Sequence, residues 1–222
     1  MGEVRVIQVQ ESIFADNDRM AEAIREQMIR QKTFFLNVMS SPGSGKTTTL
    51  ITLINRLKDR RRIGVMDVDI TSTEDAQRVA DGTGVPALQI HNGGLCHIDA
   101  DMVSRTLAAY DTKDFDLLIL ENIGNLVCPA EFDTGAHVNI MILSVPEGDD
   151  KPLKYPLMFQ VCDAVLINKI DTLPWFDFDM QLARERIHAL NPQAAVFPVS
   201  ARTGEGFDDM IRWLEAKENR PF

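Results

Sequence analysis

The stretch Thr33-Phe-Phe-Leu-Asn-Val-Met-Ser-Ser-Pro-Gly-Ser-Gly-Lys-Thr-Thr-Thr49 decides how the chain folds. Phe34 to Met39 is a run rich in apolar residues, which predicts a buried strand. Pro42, Gly43, Ser44, Gly45, Lys46 and Thr47 follow, and a helical pattern opens at once. Strand, glycine loop and helix is the context a phosphate-binding loop requires. Glycines let backbone N–H groups crowd around phosphate oxygens, and the positive end of the helix dipole points at the same place. Lys46 can reach the β and γ phosphates, Thr47 can hold Mg²⁺ through its hydroxyl, and Thr48 completes the loop. Ser40 occupies the position where the usual pattern has its first glycine. Serine tolerates most loop conformations that do not need positive φ.

Working outward, strands and helices alternate. Strands are expected at Ile63 to Met66, Val85 to Ile90, Phe115 to Leu120, Val138 to Ser144, Ala164 to Ile167 and Ala195 to Val199. Helices are expected from Thr47 to about Lys58, from Ser72 to Ala80 behind a Ser72/Asp75 capping box, and over Asp99 to Ala109, Asp179 to Leu190 and Gly206 to Ala216. Before the first core strand, residues 3 to 9 read as an extended arm. Met20, Ala21, Ile24, Met28 and Ile29 predict an amphipathic helix with Asp16 or Asn17 as N-cap. The pattern is α/β: a three-layer P-loop fold with a mainly parallel sheet and helices on both faces. No linker or repeat divides residues 1–222, so the expectation is a single nucleotide-binding domain with residues 1–32 packed on it.

Bulk properties exclude several classes. The net charge of −10 argues against a general nucleic-acid binder and against docking on acidic membranes. No apolar run reaches membrane-spanning length, and the N-terminus lacks a signal-peptide core, so the expected location is cytoplasmic. Three cysteines do not suggest a disulfide framework.

Asn168-Lys-Ile-Asp171 ends an apolar strand, as the guanine-reading motif of GTPases does. The Asp171 carboxylate can accept two hydrogens from guanine, a pair adenine cannot offer. Ser200-Ala-Arg-Thr-Gly-Glu-Gly206 resembles the loop whose backbone touches the guanine oxygen, with Ser200 and Ala201 at the base. Together with Lys169, these residues predict binding of GTP and GDP. Acids ending the intervening strands are candidates for metal and water handling: Glu121 for Mg²⁺ or the attacking water, Asp69 for Mg²⁺ with a helix cap as its alternative, and last Asp67, with a solvated loop acid as its alternative. Catalysis is then assigned to Lys46, Thr47, Asp69 and Glu121, by positioning and charge neutralisation. No arginine stands out as an internal finger.

Cys96 and His97 are adjacent, and Cys128 lies beyond the strand that ends in Glu121. Thiolate and imidazole suit Zn²⁺ and Ni²⁺. Two half-buried cysteines and a loop histidine would look the same by residue type. Position favours a metal, because both segments fall where switch loops would sense the γ phosphate. Three ligands fall short of a closed tetrahedral site, which either keeps an open position or is completed by a second subunit across a two-fold axis. Cys162 is expected in the core, His91 is read as a loop histidine with an outer metal ligand as its alternative, and His137 and His188 are expected to be structural or exposed.

Ser41-Pro-Gly-Ser-Gly-Lys-Thr47, Cys96-His97, Glu121-Asn-Ile-Gly-Asn-Leu-Val-Cys-Pro-Ala130 and Glu147-Gly-Asp-Asp-Lys-Pro-Leu-Lys-Tyr-Pro156 resemble the HypB family of nickel-insertion GTPases. The resemblance implies a GTP-favoured homodimer and a metal site at Cys96, His97 and Cys128. It also implies two partners, a HypA-like metallochaperone and the large-subunit precursor of a nickel–iron hydrogenase. The chain lacks the N-terminal Cys-x-x-Cys-Gly-Cys site of many members, so no separate N-terminal metal-binding extension is expected. Other readings are a GTPase serving urease or a cobalamin enzyme, a P-loop small-molecule kinase, and a metal-binding scaffold with idle nucleotide chemistry. The run from Glu147 to Pro156 has no generic GTPase role; Lys151 and Lys154 are candidates to contact a partner subunit or the acids near Asp69, and the run reads equally as a solvated loop.

Overall fold

The computed structural model describes residues 9–69 and 72–219. Seven strands form one sheet: β1 (Phe34–Ser40), β2 (Ile63–Asp69), β3 (Ala87–His91), β4 (Leu117–Gly124), β5 (Val138–Ser144), β6 (Ala164–Asn168) and β7 (Ala195–Pro198). Their order is β3-β2-β4-β1-β5-β6-β7, and all six pairings are parallel. The helices are α1 (Val9–Gln31), α2 (Lys46–Leu57), α3 (Glu74–Thr83), α4 (Ala100–Ala109), α5 (Lys151–Lys154), α6 (Pro156–Gln160), α7 (Met180–Leu190) and α8 (Phe207–Glu218).

Because strand side chains alternate between faces, the central strands feed two opposite layers. Phe34, Leu36 and Val38 of β1 join Ile140 and Ile142 of β5 in a core closed by Leu50, Leu53 and Ile54 of α2 and Phe207, Met210 and Leu214 of α8. The intervening residues point the other way. Phe35 with Leu118 and Leu120 meets Ile24 and Met28 of α1 and Val103 of α4. Met39 with Met141, Leu143 and Val165 meets Phe159 of α6 and Ile187 of α7. Burial on both faces explains why these strands read as continuous apolar runs.

Several boundaries differ from the sequence reading. α1 already runs at Val9, so neither Asp16 nor Asn17 caps it. The expected arm lies outside the described residues up to position 8. Asn17 is buried and serves a different helix: its side-chain oxygen accepts from the Ala100 N–H at 2.9 Å, at the start of α4, while its amide donates to the Asp133 carbonyl. At α3 the N-cap position is Thr73, and Ser72 Oγ accepts from the Glu74 N–H instead of closing a capping box. The basic cluster after α2 is only partly solvated. Arg61 pairs with Glu218 on α8, Arg62 pairs with Asp116 before β4, and Lys58 donates to the Thr83 carbonyl. The run after β5 forms α5 and α6 rather than an open loop, with Met158 and Phe159 buried beneath it.

Candidate functional site

The carboxyl ends of β1, β2 and β4 open on a cavity of about 620 Å³. Its floor is the loop from Ser41 to Thr48, with Asp69, Asp75, Arg78, Ile123 and Gly124 around the wall. Parallel sheets place ligands in such crevices, where the helices that follow the strands present their N-termini. Gly45 precedes α2 with φ 95°, and no side chain caps the helix, so its first N–H groups are available to an anion. A β-carbon at Gly45 would lie 2.7 Å from Asn168 Nδ2, so both the backbone angle and the close approach demand glycine. Ser40 ends β1 without positive φ, and its hydroxyl, which donates to the Ser41 carbonyl, lies 3.5 Å from Lys46 Nζ.

Beneath Lys46 lies a buried acidic pair. Asp67 on β2 sits opposite Glu121 on β4 in the strand register. Asp67 is 3% exposed and Glu121 is 1% exposed. Thr47 Oγ1 donates to Glu121 Oε1 at 3.0 Å. Asp67 Oδ2 and Glu121 Oε2 have no hydrogen-bond partner among the described residues. Burial pushes the Glu121 carboxyl up to about 7 and Asp67 up to about 6, with the Lys46 charge opposing both shifts. Buried carboxylate oxygens without partners, beside a threonine hydroxyl, form the hard donor set that a divalent ion such as Mg²⁺ takes. Asp67 is therefore no solvated loop acid. Asp69, preferred in the sequence, lies at the cavity rim, where its Oδ1 accepts from the Ser72 N–H at 2.7 Å. Apolar residues on both sides of Asp67 in β2 were the only hint that its side chain would be buried.

The base motif is tied directly to the phosphate loop. Asn168 Nδ2 donates to the Ser44 carbonyl at 2.9 Å, and Asn168 Oδ1 accepts from the Ala201 N–H at 3.0 Å. Lys169, itself at φ 64°, donates to the Gly43 carbonyl at 2.6 Å. Ser200 Oγ donates to Asp171 Oδ1 at 2.7 Å, which aims that carboxylate. The loop carrying Ser200 and Ala201 thus meets the Asn168–Asp171 loop and the glycine loop in one cluster. Glu147 adds a link absent from the sequence reading: its carboxylate accepts from the Ser41 hydroxyl and from the N–H and Oγ of Ser144.

Past Gly124, β4 runs into a short 3₁₀ turn, Cys128–Ala130. Cys128 Sγ lies 2.8 Å from Cys96 Sγ. His97 Nδ1 is 3.9 Å from Cys96 Sγ, and its ring stacks on Phe132 with centroids 4.0 Å apart. The two thiols meet as the sequence suggested, while the imidazole gains apolar contact beside them. Among the described residues no three His, Cys, Asp or Glu side chains are gathered around one metal position. Asn125 fastens the two segments by donating to the Cys96 carbonyl at 3.2 Å. Cys162 is buried away from this site, and its thiol is pushed up to about 12 by burial. No described helix is long and apolar enough to cross a membrane.

Residues 34–198 match the CobW/HypB/UreG nucleotide-binding domain family. The hydrogenase maturation factor HypB of Azotobacter vinelandii is 45% identical over 97% of this chain and 71% of its own length. The crystal structure of Helicobacter pylori HypB in complex with nickel superposes with a TM-score of 0.84 at 39% identity, covering 93% of this chain and all of that one. That of Archaeoglobus fulgidus HypB gives 0.84 at 36% identity, over 92% and 100% respectively.

Proposed function

The chain belongs to the HypB hydrogenase maturation factors of the CobW/HypB/UreG family, and from that premise we propose that it couples GTP hydrolysis to the delivery of nickel. The observation that carries this reading is the continuity of one segment. Glu121 lies behind the phosphate cavity and accepts from Thr47, which lines it, Gly124 lines it directly, and Cys128 at the end of the same stretch touches Cys96. A γ phosphate that engages the Gly124 backbone, with its cation held by Thr47 and Glu121, shifts the same segment that carries Cys128.

Lys46 neutralises charge on the β and γ phosphates, and the unpaired N–H groups at the start of α2 hold their oxygens. Asp171 selects guanine, held in place by Ser200, and Asn168 keeps the base loop and the phosphate loop in one register. Thr47 and the carboxylates of Glu121, Asp67 and Asp69 would hold Mg²⁺, which, when bound, supplies neutralisation of the phosphate charge. Glu121 orients the attacking water. Cys96, His97 and Cys128 take Ni²⁺, or Zn²⁺ in its place, with a second copy of the chain completing the site in a GTP-favoured homodimer. The partners on this reading are a HypA-like metallochaperone and a nickel–iron hydrogenase large-subunit precursor, in the cytoplasm.

The test measures GTP turnover, dimerisation and Ni²⁺ or Zn²⁺ affinity with GDP and with a non-hydrolysable GTP analogue. Tighter association and altered metal affinity with the analogue are expected. Identical values in both nucleotide states would remove the coupling.

A further inference from the structure

The phosphate cavity contains an arginine, Arg78, that the sequence reading did not single out. It lies on α3 and lines the cavity with Lys46, Thr47 and Asp75. Its Nη1 donates to Asp75 Oδ1 at 3.1 Å, one turn earlier on the same helix. This pair is open to water, with the arginine side chain 58% and the aspartate 42% exposed. An exposed i,i+3 pair of this kind contributes little, so little holds the guanidinium where it is. Asp75 and Arg78 share the cavity wall with Asp69 and Gly124, across from the loop that carries Lys46 and Thr47.

Charge balance calls for a second cation here. Asp69 and Asp75 on the wall, with Asp67 and Glu121 beneath it, together with a bound triphosphate carry more negative charge than Lys46 and the Mg²⁺ those acids would hold can cancel. A third phosphate adds further negative charge to this acid-rich space. Arginine answers that demand better than lysine, because its planar fork makes paired hydrogen bonds to phosphoryl oxygens.

We propose that Arg78 is an internally supplied arginine finger, which leaves Asp75 when GTP binds and contacts the γ-phosphoryl oxygens as charge develops on them. The proposal rests on the GTPase reading above. In the step concerned, a water oxygen bonds to the γ phosphorus as the bond to the β–γ bridging oxygen breaks. The bridging oxygen keeps the electron pair and leaves as GDP, and both water hydrogens end on inorganic phosphate. Arg78 exchanges no proton in this step; it stabilises the charge on the moving phosphoryl group.

The experiment uses the full chain, with single-turnover GTP hydrolysis, affinity for GDP, and affinity for GDP plus aluminium fluoride as a mimic of the moving phosphoryl group. Arg78→Ala is expected to slow turnover about a hundredfold or more. Its GDP affinity should stay close to that of the unmodified chain, while the added affinity for the aluminium fluoride complex is lost. Arg78→Lys, which keeps the charge and leaves the exposed helix surface intact, should recover only a small part of the rate. Turnover of Arg78→Ala at the unmodified rate, or equal loss of GDP and GTP affinity, would overturn the assignment while leaving the GTPase reading in place. Failure of the unmodified chain to bind GTP would instead overturn the GTPase reading itself, and this proposal with it.

Discussion

Asp67 and Glu121 face each other across neighbouring parallel strands, both buried, each with one oxygen that no hydrogen bond among the described residues satisfies. Such an arrangement is costly without a cation, since a buried carboxylate without full pairing carries a desolvation penalty. It is the kind of local cost that functional sites carry.

Glu121→Gln removes the charge and keeps an oxygen to accept from Thr47. In metal-free protein at pH 8 its midpoint of thermal unfolding should rise by about 3 °C or more. GTP turnover should fall about a hundredfold, because the proposed mechanism uses this carboxylate to orient water. Calorimetry in chelator together with a phosphate-release assay would check both. A variant that is neither more stable nor slower would show that the carboxylate is not held at a cost for catalysis.

Asp171→Asn should exchange the base preference. The amide loses the paired acceptor for guanine, and GTP affinity should drop about a hundredfold. Xanthosine triphosphate, which presents a carbonyl where guanine has its amine, should bind the variant better than GTP does. Nucleotide competition measures this directly, and retention of guanine preference would place the base elsewhere.

Glu147→Ala should loosen the phosphate loop from outside. The carboxylate links Ser41 to the end of β5, and loss of a charged hydrogen bond should weaken GTP and GDP together by about tenfold. Ser41→Ala should act in the same direction. If the contact carries the effect, the double variant will be no weaker than Glu147→Ala alone. Fully additive losses in calorimetric titrations would argue against it.

His137 should govern part of the acid limb of stability. Burial, helped by the nearby positive charge of Arg25, lowers its imidazole to about 4, and its Nδ1 accepts from the Phe35 N–H at 2.9 Å. Lys32 and Glu218 line the same recess. Between about pH 6.5 and 4 the unfolded chain binds a proton there that the folded chain does not. Stability from this group is therefore complete above pH 6.5 and is lost as the pH falls through 4. His137→Gln should show a shallower decline of unfolding temperature across that window, and an unchanged slope would remove the histidine from the account.

The sequence by itself determined the layered α/β class, because apolar runs buried on both faces and short alternating elements leave few other solutions. It also marked the glycine loop, the base motif and the two cysteines, since each is a local pattern whose chemistry depends on residue type and spacing. Tertiary structure alone decided which acid lies beneath Lys46. Asp67 and Asp69 share one face of β2 and differ only in depth, and depth depends on which strand lies alongside. The same holds for Asn17, which caps a distant helix, for Glu147, which reaches across two strand ends to Ser41, and for Arg78, which enters the phosphate cavity only because α3 packs against α2. Hydrogen bonds and charge interactions act over a few ångströms in space, whatever the separation along the chain, so contacts between residues far apart in sequence appear only once the sheet order is known.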